Sequence, residues 1–397
     1  MPSTRSDAGC RDLSARFGRA LETVRGSRLA AERLRASPAR HVIALGKAAE
    51  SLAAGACEAL GGHLLSGFAA LPHGYATGEL PAGARIRRVF GNHPVPGPDS
   101  IAAGEALADY VRDLPEGDAV AVLVSGGASA CVEWPRPGID LALLRRANRW
   151  LLGGGLSITE INRIRARLSR LKGGGLARLL AGREVRGFIL ADVPGGNIRW
   201  VGGGPVSAVP PGALPRLPDW LRPPAEEGAP VPEVPLERLA GNEEAMAALR
   251  DGRVVASGTL EGDAVAMAGR IAESLRGATP GAYVWGGETT LVLPDQPGCG
   301  GRCRHLALCV ARALAGIEGW RLLAAGTDGW DGTDAVAGAC VDGGTVPRGE
   351  RAGMDADAAL RYADSGRFLE ASGDAFVTGP TGTNVNDLVI ASVARPA

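Results

Sequence analysis

The feature that most constrains this chain is a transition that keeps recurring. A short apolar run rich in β-branched residues stops at a glycine-containing turn and gives way to a helix-forming stretch. It is clearest at His41–Leu45, which ends in Gly46-Lys47 before Ala48 opens a helical segment. It recurs at Ala119–Val124, which ends in Ser125-Gly126-Gly127-Ala128-Ser129, and at 187–191, which ends in Asp192. Further apolar runs stand at 65–71 and 86–90, with helices expected over 99–113 and from the capping box Ser157-Ile158-Thr159-Glu160 to about 170. Alternating strands and helices predict an α/β protein whose mostly parallel sheet is covered on both faces. Ligands of such sheets sit beyond the carboxyl ends of the strands. Lys47, Ser125 and Asp192 all fall at such ends, which points to one site.

A second α/β region is expected further on. Its pattern is a strand at 253–256, a helix at 263–276, a strand at 281–285 continuing into a hairpin-like stretch to 293, a helix at 302–314, and strands at 321–325 and 388–393. Between the two regions, 210–235 is dense in proline and fits neither a regular helix nor a central strand. The expected organisation is therefore an N-terminal domain over 1–209, a crossing linker over 210–235 and a C-terminal domain over 236–397. The first twenty residues read as an amphipathic helix rather than a signal peptide.

Charge narrows the partners. The 43 basic and 43 acidic residues cancel, leaving no global field to recruit nucleic acid or an anionic membrane. No apolar run is long enough to span a bilayer. Seven cysteines without a CxxC pair are expected to be reduced, mostly buried thiols in a cytoplasmic protein, and Cys299 and Cys303 lack the second pair a zinc site needs. Only two of the 43 basic residues are lysines, Lys47 and Lys172, and both adjoin glycine. A compact ammonium does what a planar guanidinium does not.

Each motif has a functional and a plain reading. Gly46-Lys47 and Ser125 to Ser129 sit where helix N-termini offer amides to an anion, and equally where a turn caps a helix. Asp192 is placed to accept a hydroxyl proton, hold a metal or cap a helix. Arg302, after Gly300-Gly301, suits a carboxylate or phosphate. Asp328, Asp331 and Asp334 form an acidic loop that lacks the spacing of an EF-hand. His93, in Asn92-His93-Pro94, fits a proline turn better than a phosphate ligand.

Taken in order, these stretches resemble the glycerate 2-kinase family, whose C-terminal part is called MOFRL. The resemblance runs from about 42 to 390. It rests on Gly46-Lys47-Ala48-Ala49, His93-Pro94-Val95-Pro96, the Ser125–Ser129 turn, Glu160-Ile161-Asn162-Arg163-Ile164-Arg165 with Lys172-Gly173-Gly174, and Asp192-Val193-Pro194-Gly195. In the second half it rests on Gly286-Gly287-Glu288-Thr289-Thr290, Gly326-Thr327-Asp328-Gly329 and Thr381-Gly382-Thr383-Asn384-Val385-Asn386-Asp387.

The resemblance implies a Rossmann-like N-terminal domain, a C-terminal MOFRL-type domain with a mixed sheet, and an active site in the cleft between them. It implies ATP and Mg2+ as cofactors, a small hydroxy acid as partner, and a monomer or homodimer. Lys47, Asp192 and Arg302 would be catalytic, with Asp192 also the metal ligand. Gly46, Ser125, Gly126, Gly127, Ser129, Asn162, Asn384, Asn386 and Asp387 would bind the nucleotide. Arg165, Lys172, Glu288, Arg304 and Asp328 would bind the acceptor. The parent reaction is D-glycerate to 2-phosphoglycerate. Two other readings are a nucleotide-binding homologue without transfer and an NAD(P)-dependent hydroxypyruvate reductase, a name older family labels use; no G-x-G-x-x-G follows the first strand.

Four departures from the family pattern stand out. Gly196 and Asn197 replace two acids, Gly202-Gly203-Gly204-Pro205-Val206 replaces a hydroxyl-bearing stretch, Cys303-Arg304-His305 replaces Asn-Gln-Glu, and Trp285 replaces a small residue. If they all face the site, it becomes more cationic and favours an acceptor other than glycerate.

Overall fold

Every residue of His41–Leu45 is buried, as a strand covered on both faces must be. In the computed structural model of the protein, which describes residues 8–153, 156–192, 197–210, 212–224, 230–251, 254–332 and 334–394, this strand (β1) lies inside a six-stranded parallel sheet. Its companions are Ser66–Pro72 (β2), Ile86–Gly91 (β3), Ala119–Val124 (β4), Glu184–Leu190 (β5) and Leu236–Ala240 (β6). The order is β3-β2-β1-β4-β5-β6, and every neighbouring pair runs parallel. This is the doubly wound order, in which the strand sequence reverses at β1 and opens a crevice beyond the carboxyl ends of β1 and β4. Ile43, Leu45, Val122, Val124 and Ile189 form the centre of its core. The helix Ile158–Leu168 starts on the expected capping box. The Ser157 hydroxyl accepts from the Glu160 amide, and the Glu160 carboxylate accepts from the Ser157 amide.

The second sheet is mixed. It contains Val254–Leu260 (β7), Gly281–Gly287 (β8), Trp320–Gly326 (β9), Gly338–Asp342 (β10), Ala375–Phe376 (β11) and Asp387–Val393 (β12), in the order β11-β10-β9-β12-β8-β7. Only β7 and β8 pair in parallel. The helices Ala264–Leu275 and Arg302–Ala313 pack Met267, Ile271, Leu306 and Val310 into one core with Trp285 and Val389.

Several boundaries differ from expectation. One compact unit is Arg25–Ala240 with Gly382–Asn384; the other is Met1–Val24, Gly241–Thr381 and Val385–Ala397. Residues 236–240 belong to the first unit because β6 pairs with β5, so the proline-rich stretch returns the chain to its own sheet edge. Residues 1–24 belong to the second because the amphipathic helix Ala8–Thr23 buries Leu13 and Phe17 there, Phe17 edge-on to Phe376. That packing also overturns the all-reduced expectation for two cysteines. Cys10 and Cys340 meet at a Cα separation of 6.1 Å and form a disulfide, while Cys57, Cys131, Cys299, Cys303 and Cys309 are thiols. The hairpin expected to 293 is absent, since β8 ends at Gly287 and Thr290 instead bridges to Asp263. Among the described residues, no helix is long and apolar enough to cross a membrane.

Candidate active site

The turns that follow β1 and β4 are locked together. The Lys47 amide donates to the Gly126 carbonyl (2.8 Å), and the Ala48 amide to the Ser125 hydroxyl (3.0 Å), which in turn donates to the Leu45 carbonyl (3.2 Å). Gly46 adopts φ +109° and passes so close that a Cβ there would lie 2.4 Å from the Ser125 carbonyl oxygen, so only glycine fits. This corrects part of the expected anion cradle. The amides of Gly46, Lys47, Ala48 and Ala49 close on Ala70, Gly126, Ser125 and Gly46 respectively, and the buried Ser125 hydroxyl is consumed internally. The Lys47 side chain extends from this turn over Gly127.

The remaining groups gather over Gly126 and Gly127. A Cβ on Gly126 would sit 1.9 Å from Oδ2 of Asp192 and 2.1 Å from Nδ2 of Asn384. A Cβ on Gly127, already at φ +83°, would sit 2.9 Å from Cγ of Lys47 and 3.4 Å from Cδ2 of His93. Lys47 Nζ lies 5.5 Å from the centre of the Tyr75 ring, and Tyr75 meets His93 edge-on at 6.1 Å. Lys47 and Asp192, from the ends of β1 and β5, thus lie close to Asn384 of the loop before β12. Tyr75, one of four tyrosines, and His93 join them. The sequence pattern left out the first and favoured a proline turn over a phosphate ligand for the second. The loop after Asp192, including Gly195 and Gly196, lies outside the described residues. Asn197, which does lie within them, accepts from the Arg199 amide and opens a short 3-10 turn.

Lys172 and Arg165 are less open to a ligand than expected. Lys172 is buried and ion-paired with buried Glu133, a partner 39 positions away. Burial pulls the ammonium below the usual lysine range, and Glu133 pulls the other way. Burial likewise lowers Arg165, whose charge also feels Glu133. Asn162 is buried on the same helix with its Nδ2 unpartnered among the described residues. Ser129 is half-buried, beside the position a Cβ on Gly203 would take (3.3 Å).

A second cluster belongs to the other unit. Arg302 forms a two-pronged pair with buried Asp387, Nε to Oδ2 at 2.5 Å and Nη2 to Oδ1 at 2.9 Å, and its Nη1 lies 2.8 Å from Glu288. Burial opposes the Arg302 charge, and Asp387 more than restores it. Asn386, at φ +66°, donates from Nδ2 to Glu288 (3.0 Å). Asn242 holds the strand entrance by donating to the carbonyls of Val385 and Asp387. Asp328 is buried and accepts from the Trp330 amide.

Three expectations about the departures from the family pattern are corrected here. Arg304 is wholly buried and spends its guanidinium on Asp331, Asp334 and the Asp331 carbonyl, so it braces the acidic loop and presents nothing to an acceptor. Asp331 also accepts from the amides of Cys303 and Arg304, capping the helix Arg302–Ala313. His305 is buried and burial lowers its basicity, with Asp263 opposing, so it adds no second cation at neutral pH. Trp285 points into the second core, stacked at 18° on Tyr283, over a Gly258 that no larger residue could replace without touching the indole.

Two family models match this chain, a domain of unknown function (DUF4147) over residues 12–212 and the MOFRL family over 281–387. The D-glycerate 2-kinase of Thermotoga maritima is 34% identical over 377 residues, 88% of this chain and 89% of that protein. The glycerate 2-kinase of Pyrococcus horikoshii is 34% identical over 390 residues, 89% of this chain and 87% of that one. The crystal structure of a glycerate kinase from Thermotoga maritima superposes with a TM-score of 0.79 at 29% identity, covering 96% of this chain and 98% of that chain.

Proposed function

The chain belongs to the glycerate 2-kinase family defined by its DUF4147 and MOFRL segments, and from that premise we propose that it transfers the γ-phosphoryl group of ATP to the 2-hydroxyl of D-glycerate, giving ADP and 2-phosphoglycerate. The observation that carries the reading is the gathering of Lys47, Asp192 and Asn384 over Gly126 and Gly127, beyond the carboxyl ends of β1, β4 and β5. Phosphoryl transfer asks a protein mainly for positioning and for stabilisation of charge. Lys47 neutralises charge on the transferring group. Asp192 orients the acceptor hydroxyl and takes its proton as the oxygen–phosphorus bond forms and the bond to the ADP oxygen breaks. The Gly126–Ser129 turn and Asn384 receive the nucleotide phosphates. Its glycines let backbone donors approach closely.

Magnesium fits this arrangement, because Mg2+ takes only one or two protein carboxylates when phosphates and water fill the other positions. Asp192 would hold it, and the bound ion would neutralise charge on the phosphates. Arg302, in the second unit, is held by Asp387 and Glu288. Glu288 covers its Nη1, is nearly half exposed (46%) and also accepts from Asn386. In this reading Arg304, Lys172 and Arg165 are left out of the acceptor set, and neither Arg304 nor His305 makes the site more cationic.

The test is ADP release with D-glycerate and Mg2+, with the product identified as 2-phosphoglycerate by phosphorus NMR. Thermal stabilisation by ATP without any ADP release would instead identify a nucleotide-binding homologue that no longer transfers.

A further inference from the structure

Glu50 is a buried carboxylate outside the cluster described above. It stands in the first turn of the helix Ala49–Leu60, three residues after Lys47. A charge taken out of water in this way needs partners for its oxygens. Its Oε2 accepts from the amides of Thr77 and Gly78 (2.9 Å for Gly78) and from the Thr77 hydroxyl (3.2 Å), while its Oε1 pairs with Arg88 of β3. Three of these four bonds go to the loop that follows β2.

That loop carries Tyr75. His73, Gly74 and Gly78 are exposed, yet Tyr75 among them is buried. Its ring centre lies 5.5 Å from Lys47 Nζ, within the range over which a ring face attracts an ammonium. The start of one helix therefore meets this loop twice, through Lys47 at Tyr75 and through Glu50 at Thr77 and Gly78. The next residue adds a second tether, because the Ser51 hydroxyl donates to Glu79 (2.9 Å), which also accepts from Arg25 (3.2 Å).

We propose that Glu50 is a positioning residue. By holding Thr77 and Gly78 it fixes the Tyr75 ring against the Lys47 ammonium, and so sets where that ammonium meets the γ-phosphoryl group. The assignment rests on the role given to Lys47 above. It adds a consequence for ligand choice: the Glu50–Tyr75 arrangement favours ATP over ADP, since only ATP carries the group that Lys47 faces.

Calorimetric titration of the full-length protein with ATP and with ADP, both with Mg2+, tests it. The variants are Glu50→Ala, Glu50→Gln, Tyr75→Leu and the double variant Glu50→Ala/Tyr75→Leu. The Ser51–Glu79 tether keeps the loop attached when Glu50 is replaced, and circular dichroism checks each fold. Glu50→Ala and Tyr75→Leu should each weaken ATP at least about fivefold and ADP less than about twofold. Glu50→Gln, which turns charge-assisted bonds into neutral ones, should weaken ATP by about twofold or more. The double variant should bind ATP within about twofold of Tyr75→Leu, because both changes act through one contact. An ATP preference unchanged in the folded Glu50 variants or in Tyr75→Leu overturns the assignment. So do equal losses for ATP and ADP, or losses that multiply in the double variant. Turnover with D-glycerate, measured alongside, separates the two readings. A reduced ATP preference in the variants of a protein that releases no ADP removes the reaction and supports this assignment, whereas an unchanged preference in a protein that does release ADP leaves the reaction standing and overturns it.

Discussion

The carboxylate of Asp192 lies directly over the α-carbon of Gly126, close enough that a single methyl group there would overlap its Oδ2 at 1.9 Å. Gly126→Ala should therefore displace Asp192 and Asn384 together without touching either. A misplacement of this size at a reacting group costs about a hundredfold in turnover. Steady-state kinetics on the folded variant checks it, and wild-type turnover would remove Asp192 from the reaction.

Lys47→Ala should lower turnover by at least about a hundredfold, as expected of a donor facing transition-state charge. Its backbone amide, which ties the turn to Gly126, survives the substitution, so the melting temperature should stay near that of wild type. Turnover and melting measured on the same preparation separate the two effects.

Asp387→Ala leaves Arg302 without its main partner. Removing one member of a fully buried pair costs about 3–5 kcal/mol; Arg302 is about a third exposed, so about 2–3 kcal/mol is expected here. Glu288→Gln breaks only the more exposed arm and should cost less than about 1 kcal/mol. Urea denaturation of both variants gives the comparison.

Arg304→Ala should destabilise the protein by about 3–5 kcal/mol, because it strands Asp331 in the core. The ratio of catalytic efficiencies between D-glycerate and other hydroxy acids should not change. A shift in that ratio would return Arg304 to the acceptor site.

His305 supplies a pH signature. Its folded-state basicity is lowered from 6.5 by burial, so the unfolded chain binds the proton more readily. Stability should fall as pH drops from about 7 to about 5, and His305→Asn should lessen that fall. Melting curves at both ends of this window decide it. Carboxylates held below their usual range, such as Asp334 and Glu79, act only at lower pH.

Much of the first unit was legible because its central strands are buried on both faces, which forces the continuous apolar runs of β1 and β4. The ends of β1, β4 and β5 then located Lys47, Ser125 and Asp192. β6 escaped notice because Leu236–Ala240 buries only its last two residues fully and follows a proline-rich stretch. β11, two residues long, carries no periodicity at all. Charge was the least legible property. Arg304 looks like an added cation until Asp331 and Asp334, 27 and 30 positions away, are seen to neutralise it, and Glu133 does the same for Lys172 from 39 positions away. Such long-range pairing leaves no mark on local sequence.

The helix Ala8–Thr23 leaves the ribosome well before the surfaces it packs on, the helix Asn242–Leu249 and β9, which are made more than two hundred residues later. At synthesis rates of about 5–20 residues per second it waits about ten seconds or more with its apolar face unsatisfied. The first unit, beginning at Arg25, has nearly its whole length available in that interval, lacking only Gly382–Asn384. Assembly in the cell is thus ordered with the first unit ahead of the second, and the waiting helix Ala8–Thr23 is a segment for a holding chaperone to cover.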